Sequence, residues 1–554
     1  MKELFSLRRF FVNYKTKLLL GTIFVIAANL FGIIPAKLIR EAVDSVSSFL
    51  KSGDEFSAIF NQQKLSKHLL YLTGLIILFT LLKGIFMFFM RQTLIVMSRW
   101  IEYEQKNEIY NHYQKLGFRF YHSESTGDMV NRISEDVSRV RMFTGPAIMY
   151  TVNLTVMFVM VIAAMVQVNA RLALFVAVPL PLMSLLIYYI HDIIHRKSEL
   201  VQIKLSGIAA LIQEYFSGIR ILKSFSGEQQ AVMMMNASAE EYKKHSAELN
   251  RVNALFMPLL FLLIGLSIII TVYAGGIEVM AGRATVGNLA EFVVYVNMLT
   301  WPVASLGWVV SLVQRAAASQ KRINEFLSFT PDIVSGKDMI KNFQGHIQFN
   351  KVSYQYPGTD VPALQDVSFE IKPGKTLGIT GRTGSGKSTL AMLLLRQDDV
   401  SSGEILLDGK NLKDINLCQY RKYTGYVPQD AFLFSDTIMA NIRFGSAGAY
   451  EAEAREAAQQ AEVHREIEQF AKGYETVIGE RGITLSGGQK QRIATARAFI
   501  RKPRLLILDD CLSAVDAKTE KAILKNIKQL STGVTAIIIS HKLSAIQHAD
   551  EIIV

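Results

Sequence analysis

Residues 381–388 read Gly-Arg-Thr-Gly-Ser-Gly-Lys-Ser, with four residues between Gly381 and Gly386 and then Lys387 and Ser388. Glycines at these places let backbone N–H groups close around phosphate oxygens, and the start of a following helix adds partial positive charge. A lysine so placed reaches the β- and γ-phosphates, while the hydroxyl holds Mg²⁺. Residues 505–509, Leu-Leu-Ile-Leu-Asp, form an apolar run ending in a carboxylate, so Asp509 is the expected second Mg²⁺ holder, in the manner of a Walker B strand. Residues 485–489, Leu-Ser-Gly-Gly-Gln, supply another anion site: Ser486 can cap a helix, and Gly487 and Gly488 expose N–H groups. One nucleotide cannot easily use both helix starts of one chain. Two chains facing head-to-tail are therefore expected around a nucleoside triphosphate.

The elements that must hold these groups follow from the flanks. Residues 375–380 read as a short buried strand and 389–395 as a helix, the strand–loop–helix context that a phosphate loop requires. Residues 352–356 alternate and end at a proline, so they read as a strand. Tyr356 at its end could stack on a purine, although an aromatic in a strand is often simply core. Cys418 and Cys511 have no metal-ligand spacing and support no disulfide framework, which suits a reducing compartment.

The first half has another character. Half of the 554 residues are hydrophobic, yet 19% are charged, which fits a membrane part joined to a soluble part. Apolar runs of spanning length fall at roughly 18–39, 69–96, 145–166, 172–194, 254–276 and 286–313. The third and fourth, and the fifth and sixth, are joined by tight connections. The stretches 97–144 and 195–253 are long, charged and helix-periodic, so the spans are expected to continue as two arms. Both arms are rich in Lys and Arg, which places them and both chain ends in the cytoplasm. The net charge of +12 follows from the same bias, and no Lys/Arg run with interleaved aromatics points to nucleic acid. Lys83 and Glu291 fall within spans and should face a cavity or a partner, although Glu291 could snorkel. Pro179, Pro181 and Pro302 are expected to kink spans four and six.

With Leu485–Gln489 lying between a phosphate loop and a Walker B strand, the chain resembles the ATP-binding cassette (ABC) transporters, and the match runs its whole length in the order of a half-size exporter. The resemblance implies a membrane α-helical domain of six long exporter-type helices in 1–325, a linker in 326–345, and an α/β P-loop NTPase cassette in 346–554. It implies that Tyr356 stacks on adenine and that ATP is held by Gly381, Arg382, Thr383, Gly384, Ser385, Gly386, Lys387, Ser388 and Thr389. Gln429 resembles the Q-loop glutamine on Mg²⁺, Asp516 the D-loop aspartate and His541 the switch histidine near the γ-phosphate. Ser486, Gly487, Gly488 and Gln489 would meet a partner's ATP. Residues 480–482, Glu-Arg-Gly, resemble the exporter motif beside the arm tips, and the breaks at Thr126-Gly127 and Gly218-Ile219 resemble two coupling helices. The family would continue past Val554 with a further strand and helices, so a longer chain is expected.

One position departs from the pattern. The family asks for Glu directly after Walker B, to polarise the attacking water; this chain has Asp510. Asp is shorter by roughly 1.3–1.5 Å, and a catalytic group misplaced by about 1 Å can cost on the order of 10²-fold in rate. ATP held by this chain is thus expected to be hydrolysed poorly, with a second half-transporter, a different chain in preference to a copy, supplying the active site. The cargo would be a hydrophobic or amphiphilic molecule or a lipid crossing a bilayer, with the bacterial inner membrane expected and the cassette cytoplasmic. An ATP-gated channel, a regulatory subunit and a slow homodimer are the other readings.

Overall fold

The structure, a computed structural model, describes residues 2–554 apart from 52–57, 341, 480–484, 514 and 531–532. Side chains at 58–61, 177, 179–185, 187–188, 191, 260, 303–304 and 529–530 are outside the description. The chain divides into two compact units, one of residues 1–113 and 127–328, the other of 114–126 and 329–554.

The first unit is built from the long helices α1 (Lys15–Lys51), α2 (Ala58–Tyr113), α5 (Ile148–Val168), α7 (Pro179–Ser217), α9 (Glu228–Met280) and α10 (Val286–Leu327), with the short helices α4 (Thr126–Asn131), α6 (Ala170–Ala177) and α8 (Ile219–Ser224) between them in sequence. Helix α3 (Phe118–Ser123) lies between α2 and α4 in sequence but belongs to the second unit. Five stretches among the described residues are long and apolar enough to cross a membrane: Lys15–Lys51, Gln62–Tyr113, Thr126–Val168, Glu228–Met280 and Val286–Leu327. The expected fourth span, 172–194, runs through α6 and α7, and many of its side chains lie outside the described residues. Each arm departs from regular α-helix. Two π-helical turns, Arg132–Asp136 and Phe143–Ala147, interrupt the first, and Gly218 ends α7 in the second.

Apolar side chains face outward along the spans, as at Leu19, Ile23, Ile26 and Leu30 of α1, where lipid rather than water would be the solvent. Polar contacts join the helices inside. Asn29 Nδ2 donates to Asn153 Oδ1 at 2.9 Å, and Gln105 Nε2 to Gln320 Oε1 at 3.1 Å. Glu291 is fully buried, and it does not snorkel. It accepts from Tyr295 Oη at 2.7 Å and from Arg40 at 3.2 Å. One turn beyond Arg40, Asp44 accepts from the Gly287 amide at 2.8 Å and from the Thr285 hydroxyl at 2.9 Å, capping the start of α10. A side chain at Gly287 would run into the Arg40 carbonyl, so α1 and α10 meet backbone to backbone. Lys83 lies against Gly32, next in sequence to Phe31, whose ring stacks on those of Phe79 and Phe86. Pro302 sits inside α10, and Pro35 and Pro258 sit inside α1 and α9.

The second unit holds two sheets. The antiparallel one runs β2-β1-β4-β5, from β1 (Ile347–Tyr354), β2 (Leu364–Ile371), β4 (Ser402–Leu407) and β5 (Lys410–Asn411). The parallel one runs β6-β7-β8-β3-β9, from β3 (Thr376–Ile379), β6 (Thr424–Val427), β7 (Leu505–Asp509), β8 (Thr535–Ile539) and β9 (Glu551–Ile553). β7 and β8 are buried at every position, as strands covered on both faces must be, which is why their sequence is an unbroken apolar run. Two cores flank the parallel sheet. One centres on α11 (Lys387–Leu394), and the other on Ile438–Ile442, α12 (His464–Gln469) and α13 (Gly487–Phe499). Ile340 and Phe343, in the stretch read as linker, are buried in the first of these.

Candidate nucleotide site

In an open parallel sheet, ligands sit beyond the carboxyl ends of the strands. Here β3 runs into the glycine loop, β7 ends at Asp509, and β8 runs into Ser540 and His541. Gly381, Gly384 and Gly386 all have positive φ. Gly386 is the tightest. At φ +89°, a Cβ there would lie 2.6 Å from the Ala363 carbonyl and 2.8 Å from Leu364. With no side chain, its backbone turns straight into α11.

Lys387 is buried, and its Nζ donates to the carbonyls of Gly381 at 3.0 Å and Arg382 at 2.7 Å, folding across the loop it would share with phosphates. Ser388 Oγ donates to Asp509 Oδ1 at 3.0 Å. Burial pushes the Asp509 carboxyl above the usual range, against the Ser388 bond, and the neighbouring Asp510 pushes the same way. A buried carboxylate paired with a hydroxyl fits a divalent cation, which would restore the missing positive charge and take its other ligands from phosphate and water. No cluster of three or more His, Cys, Asp or Glu that could hold a metal alone occurs among the described residues. Ser388 and Asp509 would share Mg²⁺ with the nucleotide.

Asp510 sits beside this pair in a distinctive state. Its φ is +45°, a region that Asp tolerates better than most residues. Its amide donates to the Ile539 carbonyl at 2.9 Å, and its own carbonyl accepts from Ser513 Oγ at 2.9 Å. The backbone is therefore pinned at both ends. The side chain is buried, yet Oδ1 has no hydrogen-bond partner among the described residues. Buried acceptors are nearly always satisfied, and a carboxylate oxygen so placed can accept from a water.

Tyr356 stands just past β1, half-exposed, with its hydroxyl 3.0 Å from Thr389 Oγ1 and its ring edge-on to Tyr354 at 5.0 Å. Arg382, Thr383, Gly384 and Ser385 form the exposed crest of the loop. Gln429 and His541 are exposed beyond β6 and β8. Asp516 accepts from the amides of Lys518 at 3.1 Å and Thr519 at 3.0 Å, bonds that hold its carboxyl below the usual range. It thereby caps α14 (Ala517–Leu530). Ala514 of the D-loop run and the Glu-Arg-Gly run at 480–482 lie outside the described residues.

Ser486 and Gln489 form a reciprocal cap at the start of α13. Ser486 Oγ accepts from the Gln489 amide at 3.2 Å, and Gln489 Oε1 accepts from the Ser486 amide at 3.0 Å. Among the described residues no hydrogen bond or ion pair joins Ser486–Gln489 to Lys387, Ser388 or Asp509. The sequence reading missed Glu466 on α12. It accepts from Gln489 Nε2 at 3.0 Å and from Arg492 through two nitrogens at 2.7 and 3.0 Å, a bidentate grip. Burial opposes its charge, but these bonds hold the carboxyl below its usual range. A carboxylate 20 residues or more from its partners leaves no local signal in sequence.

Family models match twice: the ABC transporter transmembrane region over residues 18–303, and ABC transporter over 364–513. The chain is 38% identical over 452 residues to the multidrug resistance-like ATP-binding protein MdlA of Escherichia coli K12, covering 81% of this chain and 77% of that one. It is 34% identical to the probable multidrug resistance ABC transporter ATP-binding/permease protein YheI of Bacillus subtilis, covering 98% and 91%. It is 30% identical to an ATP-dependent lipid A-core flippase of Pseudomonas fluorescens, covering 87% and 80%. Among solved structures, a bacterial Atm1-family ABC exporter with ATP bound shares the fold at a TM-score of 0.75 and 24% identity, covering 99% of this chain and 94% of that one.

Proposed function

Because the chain belongs to the ABC transporter family and carries an exporter-type membrane region fused to an ATP-binding cassette, we propose that it is one half of a dimeric exporter, the half whose own ATP site hydrolyses weakly. The observation that carries this is Asp510, buried, pinned by its backbone and one methylene shorter than the family's Glu. The pinning matters. A shorter side chain could recover its reach if the backbone moved forward, but bonds to Ile539 and Ser513 oppose that movement.

On this reading residues 1–325 form the membrane domain, 326–345 the linker and 346–554 the cassette. Tyr356 stacks on adenine, the loop amides and Lys387 bind phosphate, and Ser388, Asp509 and Gln429 hold Mg²⁺. That ion would neutralise charge growing on the phosphates. His541 lies beyond β8 to meet the γ-phosphate, and Asp510 holds a water too far from it. Ser486, Gly487, Gly488 and Gln489 close over the ATP of a second, different half-transporter. Closure around two nucleotides turns the cavity outward, and hydrolysis at the partner's site resets it, a two-state switch driven by differential binding. The cargo is an amphiphilic small molecule or a lipid, the class that the names of its relatives suggest. The bacterial inner membrane is the setting, with the cassette in the cytoplasm.

The test is ATPase activity of the purified chain in lipid nanodiscs, against Asp510→Glu. The proposal expects near silence from the wild type and a gain of about 10²-fold from the Glu variant. Ordinary turnover by the wild type would mean that Asp510 reaches its water, and a homodimer would then be the better account.

A further inference from the structure

The tip of the first arm, residues 114–126, packs as part of the cassette unit. Helix α3 there carries Arg119, whose Nε donates to Asp398 Oδ2 at 2.7 Å. Asp398 is buried, and its other oxygen accepts from the Asp399 amide at 2.8 Å. The same Oδ2 accepts from the hydroxyl of Tyr354, a fully buried ring at the end of β1, at 2.6 Å. Tyr354 in turn meets Tyr356 edge-on, with centroids 5.0 Å apart and planes at 84°. A cleft of about 530 Å³ opens between the tip and this strand end, with Tyr356, Asp398, Arg119 and Phe120 among its walls.

The chemistry of this chain of contacts is directional. A buried carboxylate needs a counter-charge, and Arg119 is the one cation bonded to it among the described residues. The carboxylate fixes the Tyr354 hydroxyl, which leaves that ring one orientation. The edge of that ring then favours one plane for Tyr356, whose hydroxyl is held separately 3.0 Å from Thr389 Oγ1. An arm residue is thus connected, through two buried groups, to Tyr356, the aromatic proposed above to stack on adenine.

We propose that Arg119 is a positioning residue for adenine recognition, acting through Asp398 and Tyr354 on the ring of Tyr356. The inference rests on the reading that Tyr356 stacks on adenine. It adds that the membrane arm, continuous in sequence with α2, sets how well the base is held. Movement of the arm would then alter base affinity while leaving the phosphate grip alone.

The experiment measures the affinity of the full chain in nanodiscs for ATP and, separately, for inorganic tripolyphosphate, which lacks a base. Tyr356→Leu should weaken ATP by roughly tenfold, the scale of one stacked base, and leave tripolyphosphate unchanged. Arg119→Gln should weaken ATP alone by about threefold to tenfold, should add nothing in the Tyr356→Leu background, and should be rescued by Arg119→Lys. If Tyr356→Leu leaves ATP binding intact, the stacking reading fails and this inference with it. If Tyr356→Leu weakens ATP but Arg119→Gln weakens neither ligand, or both equally, Arg119 merely anchors the arm and the inference alone is overturned.

Discussion

The buried pair between α1 and α10 gives a prediction whose sign is not obvious from inspection. Glu291 is fully buried, while Arg40 keeps about a third of its side chain exposed, 36% against 0%. Deleting either partner breaks the same 3.2 Å contact, but the group left behind differs. Arg40→Met strands a carboxylate whose remaining bond among the described residues is to the Tyr295 hydroxyl, and an uncompensated buried charge costs about 3–5 kcal/mol. Glu291→Gln instead leaves an arginine that can turn to water or headgroups, and the amide oxygen still accepts from Tyr295. Its cost should be nearer 1 kcal/mol, the net worth of a typical hydrogen bond. Arg40→Met should therefore lower the thermal midpoint of the chain in nanodiscs clearly more than Glu291→Gln. The double variant Arg40→Met with Glu291→Leu should recover most of the loss, because no charge is then stranded. Equal losses from the two single changes, or a double variant worse than both, would refute the asymmetry.

Three further outcomes follow from the cassette. Gly386→Ala should abolish ATP binding, because a Cβ 2.6 Å from the Ala363 carbonyl must push the loop out of its φ +89° turn; competition with a labelled nucleotide reads this directly. Ser388→Ala should remove most of the Mg²⁺-dependent part of ATP affinity while sparing the metal-free part, since Ser388 Oγ pairs with Asp509 at 3.0 Å; binding with and without chelator separates the two. Glu466 is held below its usual carboxylate value in the folded chain, so its contribution is present above the unfolded value and is lost as pH falls through the folded one. Amide exchange at the start of α13 should accelerate in Glu466→Gln at neutral pH, and the difference from wild type should vanish in acid.

Much of the site was legible because its parts are local. The phosphate loop, the apolar run of β7 and the cap at Ser486 each depend on neighbours within a few residues, so spacing alone specifies them, and the reciprocal bonds of Ser486 and Gln489 follow directly. Five of the six expected spans were legible for the same reason, since an unbroken apolar run of spanning length needs no long-range partner. What escaped was long-range polar pairing. Arg119 and Asp398 lie 279 positions apart, and Arg40 and Glu291 251 apart, so no periodicity could join them. Glu291 shows the consequence. In sequence it could snorkel or pair, and only the fold puts Arg40 and Tyr295 against it.

Asp510 lies between these two cases. Its departure from Glu is visible in the sequence, but a shorter carboxylate could be compensated by a shifted backbone, and sequence cannot exclude that. The fold bears on the point through bonds that involve no side-chain carboxylate at all: the amide to Ile539, across the sheet to the neighbouring β8, and the carbonyl to Ser513. Moving Asp510 forward would pull β7 and β8 out of register at Asp509↔Ile539, in a strand pair buried at every position. The deficit in reach thus stays with the side chain. If the proposed weak site is correct, the gain in the Asp510→Glu variant should need no second substitution, and a requirement for one would show that the backbone here is not the rigid part.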